Sequence, residues 1–381
     1  MVNHSTAMHS MTDVLIVGGG PAGLSAAIAL RQRGIDCLVV EALSPSIDKA
    51  CGEGLMPDAL ISLARLGVEI EKQDGYSFRG IRFTNSAHQV DALFPIGTGV
   101  GLRRTRLHSC LADHAHKAGA QLLWNSRIKL TGRNLALVNG RELKFNWLVG
   151  ADGQASLVRR WAGLDARRKE TVRYGFRRHY QISPWSEFVE IHWGPCGQIY
   201  ATPIAADCLC VVYITRDRHC DQRKILDDFP EIRQRLERAT MVSQQKGAVS
   251  VTRKLCRVAN GPVALIGDSS GAADAITGEG LAMTFRQAHA LAAAIEKGSL
   301  ESYCRAHEQI SRLPHAMGAL MLTMDRWPSL EVRAMRALAS RPALFHELLS
   351  IHMGAKSLLR FAATKGPQLA WNMMLDRTAG E

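Results

Sequence analysis

The sequence lacks several features that would assign it to common protein classes. It has no run of about 18 uninterrupted apolar residues, the length that a membrane-spanning helix needs. Its nine cysteines are scattered and form no C-x-x-C pair, which excludes a disulfide framework, a zinc site of the usual spacing and a dithiol redox pair. There is no internal repeat, and no basic region precedes an apolar run at the N-terminus. We therefore expect a cytoplasmic protein with reduced thiols, no signal peptide and no metal site.

Charge is unbalanced toward the positive side. The chain has 47 Lys and Arg against 35 Asp and Glu, a net charge of +12. The excess concentrates around Arg103–Arg106 and Arg159–Arg178 rather than in a tail. Such a distribution indicates either a solvated basic face or a surface that attracts an anionic cofactor, an acidic substrate or a membrane. No nucleic-acid-binding motif accompanies it, so we expect no nucleic-acid partner.

Residues 13–41, DVLIVGGGPAGLSAAIALRQRGIDCLVVE, follow the order strand, glycine turn, helix, strand. The apolar run Asp13–Val17 predicts a buried parallel strand. A G-x-G-x-x-G motif follows, formed by Gly18, Gly20 and Gly23. These glycines permit a tight turn, close approach of a pyrophosphate to the backbone and close packing of helix on strand. The helix after Pro21 directs its free N–H groups and positive dipole end toward a bound anion.

Glu41 strengthens this interpretation. It ends the second predicted strand, Ile35–Val40, about 20 residues beyond the glycines, where an acid accepts a hydrogen bond from a ribose 2′-OH. A lone G-x-G-x-x-G is weak evidence for nucleotide binding. Here a strand, the glycines, a helix, a second strand and an acid occur in the order that the motif requires. The stretch therefore predicts dinucleotide binding.

Two later strands end in the same way. Leu143–Ala151 is a short apolar strand followed by Asp152 and Gly153, and Val263–Gly267 is followed by Asp268. Open α/β sheets bind ligands at the carboxyl ends of their parallel strands. We therefore expect these acids and glycines to converge with the first glycine turn.

A second glycine turn, Thr277-Gly278-Glu279-Gly280, precedes a predicted helix over Leu281–Ile295. Thr277 is the expected N-cap, because its hydroxyl can accept a hydrogen bond from a free N–H of the first turn.

The pattern in the middle of the chain predicts an antiparallel sheet. Tyr76–Phe94 predicts a hairpin, and residues 174–252 predict several strands with one helical insert, Ile225–Ala239. Such a sheet keeps one face free, which makes it a candidate substrate floor. Side chains alternate between faces, so only some of five polar and aromatic residues can point inward: His179, Tyr180, His192, Tyr200 and Tyr213.

Three motifs resemble those of one family: VLIVGGGPAGLSAAIAL with Glu41, GADGQASLVRR and LIGDSSGAADAITGEGLAMTF. Over roughly residues 12–297 the sequence is similar to FAD-dependent oxidoreductases of the para-hydroxybenzoate hydroxylase type. This superfamily includes flavoprotein monooxygenases, geranylgeranyl reductases and flavin-dependent halogenases. There is no second G-x-G-x-x-G, which fits members that lack a separate nicotinamide domain.

The resemblance implies a role for each matching residue. The first turn would hold the FAD pyrophosphate, Glu41 the adenosine ribose and Asp268 the ribityl chain. Asp152 and Gly153 would touch the pyrophosphate, and the turn at Gly278 would place a helix N-terminus near the flavin pyrimidine ring, where reduced flavin is anionic. The full implied set is Gly18, Gly20, Pro21, Ala22, Gly23, Glu41, Arg104, Asp152, Gly153, Asp268, Gly278, Gly280, Leu281 and Ala282.

We expect an α/β fold: a Rossmann-like FAD-binding domain with an inserted antiparallel-sheet substrate domain and a helical C-terminus. The FAD-binding domain would be discontinuous, over residues 12–75, 99–172 and 253–297. The substrate-binding sheet domain would take residues 76–98 and 173–252, and the C-terminal helices residues 298–381.

The favoured function is an FAD-dependent monooxygenase, in which NADPH or NADH is a transient reductant and O2 hydroxylates an aromatic or polyketide-like small molecule. Tyr200, just ahead of Pro203, is the candidate pocket residue. Halogenation is disfavoured, because the comparable segment QIYATPI lacks the tryptophans of the halogenase W-x-W-x-I-P stretch. A non-enzymatic flavin-binding module is the least favoured reading.

The alternative is a geranylgeranyl-reductase-like ene-reductase acting on an isoprenoid or lipid-like chain. The segment Cys51-Gly52-Glu53-Gly54 matches the Cys-Gly-x-Gly of those reductases, and Cys51 would then lie at the flavin face. The competing interpretation of Cys51 is a small buried apolar residue.

The C-terminal region predicts helices punctuated by prolines, with Met317–Met324 in the core. Its basic residues indicate a solvated helix face, with peripheral membrane contact as the alternative: Arg333, Arg336, Arg360 and Lys365.

Overall fold

The computed structural model describes residues 10–71, 73–220 and 222–366. Its strands are β1 Met11–Val17, β2 Cys37–Val40, β3 Gly54–Leu55, β4 Tyr76–Phe78, β5 Gly80–Thr84, β6 Gln89–Leu93, β7 Gly99–Gly101, β8 Gln121–Leu123, β9 Ile128–Gly132, β10 Leu135–Val138, β11 Arg141–Gly150, β12 Arg167–Gln181, β13 Phe188–Gly194, β14 Gly197–Ala205, β15 Cys208–Thr215, β16 Thr240–Met241, β17 Lys246–Leu255, β18 Ala259–Asn260 and β19 Val263–Leu265. Its helices are α1 Pro21–Arg31, α2 Pro57–Ala64, α3 Arg104–Lys117, α4 Leu157–Trp161, α5 Gln222–Asp227, α6 Pro230–Glu237, α7 Gly280–Glu296, α8 Glu301–Arg326, α9 Pro328–Ser340, α10 Pro342–His352 and α11 Leu358–Thr364.

The first sheet carries the nucleotide-binding turn. Its order is β18-β19-β11-β1-β2-β8, and β19, β11, β1, β2 and β8 run parallel. Alternate residues of β1 face opposite layers: Val14 and Ile16 pack with α1, α3 and α7, whereas Leu15 and Val17 pack with the β9–β10 hairpin and α4. Burial on both faces explains why residues 14–17, the second half of β1, are all apolar.

The second sheet has the order β16-β12-β15-β14-β13-β5-β6, with β17 on the free edge of β12, and is antiparallel except for β5 beside β13. One face packs against the C-terminal helices and the other against α5 and α6. The expected mixed α/β fold with a parallel sheet, an antiparallel sheet and C-terminal helices is confirmed. A small third sheet has the order β3-β7-β4.

The register of this second sheet sorts the five candidate side chains. Tyr180 and Tyr213 pack against α5 and α6 with their hydroxyl oxygens 3.3 Å apart, and the ring of His192 lies edge-on to Phe229 on the same side. Tyr200 belongs to the opposite face, beneath the C-terminal helices. His192 also pairs with buried Glu190, with 2.9 Å between His192 Nε2 and Glu190 Oε2.

Three local predictions were wrong, and a fourth held only in part. The helical insert is two helices, because Pro230 has no N–H to donate and disfavours the helical conformation at the preceding Phe229 (φ −133°). Thr277 is not the N-cap of α7: it ends a 3₁₀ turn, Ala275–Thr277, and Glu279 is the N-cap. The predicted hairpin holds only for β5 and β6, since β4 pairs with β7.

The third wrong prediction concerns Pro314, one of the prolines expected to separate the C-terminal helices together with Pro328, Pro342 and Pro367. Pro314 lies inside α8. Pro328 and Pro342 do begin helices, whereas Pro367 lies outside the described residues. The methionines of Met317–Met324 are buried, as predicted.

Candidate active site

Three turns that are far apart in sequence meet at one edge of the first sheet. The amide of Ala151 donates to the carbonyl of Val17 at 2.8 Å, and the amide of Ile266 donates to Gly150 at 2.9 Å. Gly18 has a φ of +108°, and a Cβ there would lie 2.4 Å from the carbonyl oxygen of Ala151. A Cβ on Gly267 would lie 2.7 Å from the Cβ of Ala22. The ends of β1, β11 and β19 therefore form one site.

The N-terminus of α1 opens into free space. Gly20 is the N-cap, with no side-chain cap, and Pro21 follows it at the first helical position. No described atom lies within 4 Å of where a Cβ on Gly20 would project, whereas a Cβ on Gly23 would lie 1.9 Å from the carbonyl of Gly18. Uncapped N–H groups facing an open space fit a diphosphate group.

Glu41 lies beside this turn. Its carboxylate accepts the Gly19 amide at 2.7 Å and the Leu43 amide at 2.9 Å. An ionised carboxylate has about four acceptor positions, so two remain for ribose hydroxyls. Trp124 lies on the same side of Gly19 as Glu41: a Cβ there would lie 2.7 Å from the Trp124 ring and 2.8 Å from the Glu41 Cβ. Sequence reasoning missed Trp124, which follows β8 without any motif.

His108 is a second residue of the site that sequence reasoning missed. Its Nε2 lies 2.9 Å from the carbonyl of Gly19, and its Nδ1 has no described partner. Burial lowers the pKa of His108, and the charge of Arg104 lowers it further. A neutral ring therefore lies on α3 directly behind the glycine turn.

Positive charge gathers around Asp268. Asp268 is exposed to solvent, but protein encloses its carboxyl on the remaining sides. Desolvation by that enclosure raises its pKa, against the charges of Arg104, Lys49 and Arg253. The Nε of Arg104 is buried without a described partner. An orphaned guanidinium nitrogen and adjacent cations fit an anionic ligand.

The Asp152 side chain is used locally. It accepts the Ser156 hydroxyl and the amides of Leu157 and Val158, and so stabilises the N-terminus of α4. Gly153 has φ +77°, and a Cβ at Gly153 would lie 3.6 Å from Lys49 Nζ. The backbone of this turn, rather than the Asp152 carboxylate, is thus what remains for a ligand.

Arg159 joins the second turn to the third, a link that sequence reasoning missed. This buried guanidinium donates to the carbonyls of Gln154 at 2.8 Å and Ser269 at 3.2 Å, and it pairs with Asp165 at 2.6 Å. The two turns are therefore fixed relative to each other.

The start of α7 forms the far side of the site. Gly278 adopts φ +67°, and its missing Cβ would lie 3.9 Å from the Cε of Met56. No described atom lies within 4 Å of a Cβ on Gly280. The first turn continues through Leu281 and the buried Ala282. The segment that leads from Cys51 to Met56 therefore lies next to this helix end.

Glu53 anchors that segment to the rest of the molecule. It adopts φ +58°, rare for a residue with a side chain. Its Oε1 accepts the Arg104 amide at 3.0 Å and Arg177 Nη1 at 3.0 Å, and its Oε2 lies 2.7 Å from His179 Nε2. The Glu53 and His179 side chains are wholly buried and that of Arg177 is 1% exposed. We call Glu53, Arg177 and His179 the anchor cluster.

The anchor cluster extends in two directions. Arg177 also donates to both carboxylate oxygens of Asp48, at 2.8 and 2.9 Å, and His179 Nδ1 lies 2.9 Å from the Ser243 hydroxyl. Ligand atoms of Glu53, His179 and Cys210 lie within 4.8 Å of one another. However, Arg177 Nη1 is 3.0 Å from Glu53 and 3.1 Å from His179, so a positive charge already fills this position and we assign no metal to it.

Cys51 and Tyr200 meet different neighbours. The Cys51 carbonyl accepts the Cys210 thiol at 3.7 Å, and its Sγ accepts the Glu53 amide at 3.4 Å. The Tyr200 hydroxyl donates to Gln198 at 3.3 Å, and burial raises its pKa. The structure thus places Cys51 in the anchored segment and Tyr200 in a buried polar group of the sheet.

A family model described as the FAD binding domain matches residues 11–302. The chain belongs to this family. The site fits the cofactor, since an uncapped helix end, an acid with free acceptor positions and the side chains of Arg104 and Lys49 lie at one edge of the first sheet. The chain is therefore an FAD-dependent oxidoreductase of the para-hydroxybenzoate hydroxylase type. In the part of this oxidoreductase that the structure describes, no helix is both long and apolar enough to cross a membrane.

Relatives of this FAD-dependent oxidoreductase include reductases and a hydroxylase. It is 26% identical to a menaquinone reductase of Mycolicibacterium smegmatis, over 84% of this chain and 87% of that one. It is 27% identical to a digeranylgeranylglycerophospholipid reductase of Methanosarcina acetivorans, over 72% of both chains. It is 26% identical to a hispidin-3-hydroxylase of Neonothopanus nambi, over 79% of this chain and 85% of that one.

A solved structure shares the fold. A flavoprotein/dehydrogenase of Cytophaga hutchinsonii superposes with a TM-score of 0.80 at 18% identity, covering 96% of this chain and 99% of that one.

Proposed function

We propose that this FAD-dependent oxidoreductase reduces a carbon–carbon double bond in an isoprenoid or lipid-like chain, with NADPH or NADH as the transient reductant. The observation that carries this proposal is the anchored segment from Cys51 to Met56. It is held by a buried ionic cluster and packs against the start of α7, the place that we assign to the flavin pyrimidine ring. The matching Cys-Gly-x-Gly of geranylgeranyl reductases and the two reductase relatives support it.

The region beyond this segment is apolar. Buried apolar side chains pack together between the second sheet and the C-terminal helices, among them Met56, Ile276, Met317, Met321 and Phe345. Methionine side chains are flexible and repack around irregular apolar ligands. We therefore place the substrate chain between the sheet and α8–α10, and expect the substrate to be a small molecule rather than a macromolecule.

The residues of the chain have separate tasks in this proposal. Bound FAD would supply the two-electron redox chemistry. The glycine turn and α1 hold its diphosphate, and Glu41 holds its ribose. The N-terminus of α7 places a positive dipole end where charge develops on reduction. The anchor cluster fixes Cys51 at the other wall, and the apolar side chains exclude water.

A monooxygenase is the second candidate, because the hispidin-3-hydroxylase relative aligns over 85% of its own length. In that case the same cofactor site would use O2 to hydroxylate an aromatic or polyketide-like compound. Tyr200 would be the pocket residue to examine first.

One anaerobic experiment separates the two reactions. We expect the purified protein, with NADPH or NADH under argon, to add two hydrogens to the polyprenyl chain of a probe such as menaquinone. Mass spectrometry of chain fragments, after reoxidation of any quinol, distinguishes this product from reduction of the quinone ring. The same reaction in air is the control, and a mass gain of one oxygen atom that occurs only in air would favour the monooxygenase. Products that form only with oxygen would overturn the reductase proposal.

A further inference from the structure

Glu279 is a buried carboxyl built into the cofactor site. It is the N-cap residue of α7 and lies between Gly278 and Gly280, the two glycines of the turn. Its side chain is 1% exposed, and Oε2 has no hydrogen-bond partner among the described residues. Buried charges usually have close hydrogen-bonded partners, and Oε2 of Glu279 has none among the described residues.

Three charged or titratable groups face Glu279, each from a different position. Arg286, two turns along α7, has its Nη2 3.9 Å from Glu279 Oε1 and 3.6 Å from Asp58 Oδ2. Asp58 lies in the first turn of α2, and neither of its carboxylate oxygens has a described hydrogen-bond partner. His352 ends α10, with Nε2 2.9 Å from the carbonyl of Thr277.

These neighbours act on Glu279 in opposite directions. Burial raises the pKa of the Glu279 carboxyl, and Asp58 raises it further by repulsion between like charges. His352 and Arg286 lower it by favouring the ionised form. The net direction is upward, so the protonated form of this carboxyl is more favoured than that of an exposed glutamate.

We propose that Glu279 is a proton-holding site coupled to reduction of the bound flavin: it takes up one proton from solvent when the cofactor is reduced and releases it on reoxidation. Reduction makes the flavin anionic near the end of α7, and negative charge there favours the neutral form of a neighbouring carboxyl. In the step, –COO⁻ and H⁺ become –COOH while two electrons pass from the nicotinamide or a chemical reductant to the cofactor. The proposal rests on the flavin placement at α7, and it holds for a reductase or a monooxygenase because both begin with this reduction.

Linkage makes the coupling measurable as a pH dependence of the flavin midpoint potential. When one additional proton is taken up with two electrons, the midpoint potential changes by about 30 mV more per pH unit. This is the change in potential that a tenfold change in an equilibrium constant produces for a two-electron couple. We expect a pH range with this additional slope in the wild-type holoprotein and its loss in Glu279→Gln.

Variants of the neighbouring residues should shift the steeper pH range in opposite directions, which a purely structural role of Glu279 would not produce. Asp58→Asn removes a repulsion and should move the steeper range to lower pH. Arg286→Gln removes a stabilising charge and should move it to higher pH. Glu331→Gln is the matched control, because burial also raises the pKa of Glu331, but its partner is Asn85 at the β5–β6 turn. It should leave the slope unchanged.

If Glu279→Gln does not bind FAD, the wild-type protein still decides the matter. The reduced-minus-oxidised infrared spectrum should gain a carbonyl band of a protonated carboxylic acid, and its pH range should shift in Asp58→Asn. Parallel potential curves for wild type and Glu279→Gln, or no such band, would overturn the proposal. Either result is independent of the anaerobic turnover experiment, which tests the proposed reaction.

Discussion

Replacing Gly20 with alanine is expected to weaken FAD binding about ten- to a hundredfold while leaving the fold of the apoprotein intact. Gly20 has φ −72° and ψ −179°, a conformation that alanine adopts freely, and no described atom lies within 4 Å of the added Cβ. The methyl group would instead enter the space assigned to the diphosphate. Overpacking costs about 1–3 kcal/mol, and 1.4 kcal/mol is a tenfold change in affinity.

Two other glycines provide the comparison. Gly132→Ala in β9 has room for a Cβ, with Leu135 at 3.5 Å, and lies away from the site; it should change neither FAD affinity nor unfolding. Gly23→Ala would meet the carbonyl of Gly18 at 1.9 Å and should destabilise the protein itself. FAD titration and thermal unfolding measure the two effects separately. Wild-type FAD affinity in Gly20→Ala would refute the assignment of the diphosphate to this turn.

Replacing Glu53 with glutamine is expected to cost about 3 kcal/mol of unfolding free energy, at the lower end for breaking a buried ion pair. The variant leaves Arg177 buried with only Asp48 as a counter-charge, and His179 loses its acceptor carboxylate. Because the amide nitrogen of glutamine cannot accept a hydrogen bond, one of the contacts to Arg104, Arg177 or His179 is lost. Urea unfolding measures the change.

The matched control is Glu237→Gln, which removes an ion pair with Arg233 on the exposed face of α6. Solvent screening makes such surface pairs weak, so its unfolding midpoint should stay at that of wild type. Glu53→Gln should also increase labelling of Cys51 by a thiol reagent, because the segment loses its anchor. If Glu53→Gln matched the control in both measurements, the anchor cluster would not hold the segment.

Local patterns in the sequence predict the nucleotide-binding half of the fold. β1 and α1 follow from an apolar run, three glycines and Pro21, all within about one βαβ unit. Carboxyl ends of parallel strands meet at one edge, so the convergence of Gly18, Ala151 and Gly267 also follows. The N-cap of α7 could not be predicted in this way. Thr277 and Glu279 both have polar side chains near the start of the helix, and only Gly278, in the left-handed conformation, lies between them.

The anchor cluster could not be predicted in the same way. Glu53 pairs with Arg177 and His179 across 124 and 126 residues of sequence. Such pairs depend on how a loop of the first half lies on the second sheet, and side-chain pairing between elements leaves no periodic signal. The residues on each face of the second sheet could not be predicted either. Strand register, rather than composition, decides that Tyr200 and His179 lie on one face and Tyr213 on the other.

The central claim is that three distant turns converge to bind one FAD. The most direct measurement is the absorption spectrum and cofactor content of the purified protein, followed by titration of FAD into the stripped apoprotein. The account predicts a yellow protein that holds one FAD per chain and takes it up again after removal. A colourless protein that binds no FAD on titration would contradict it.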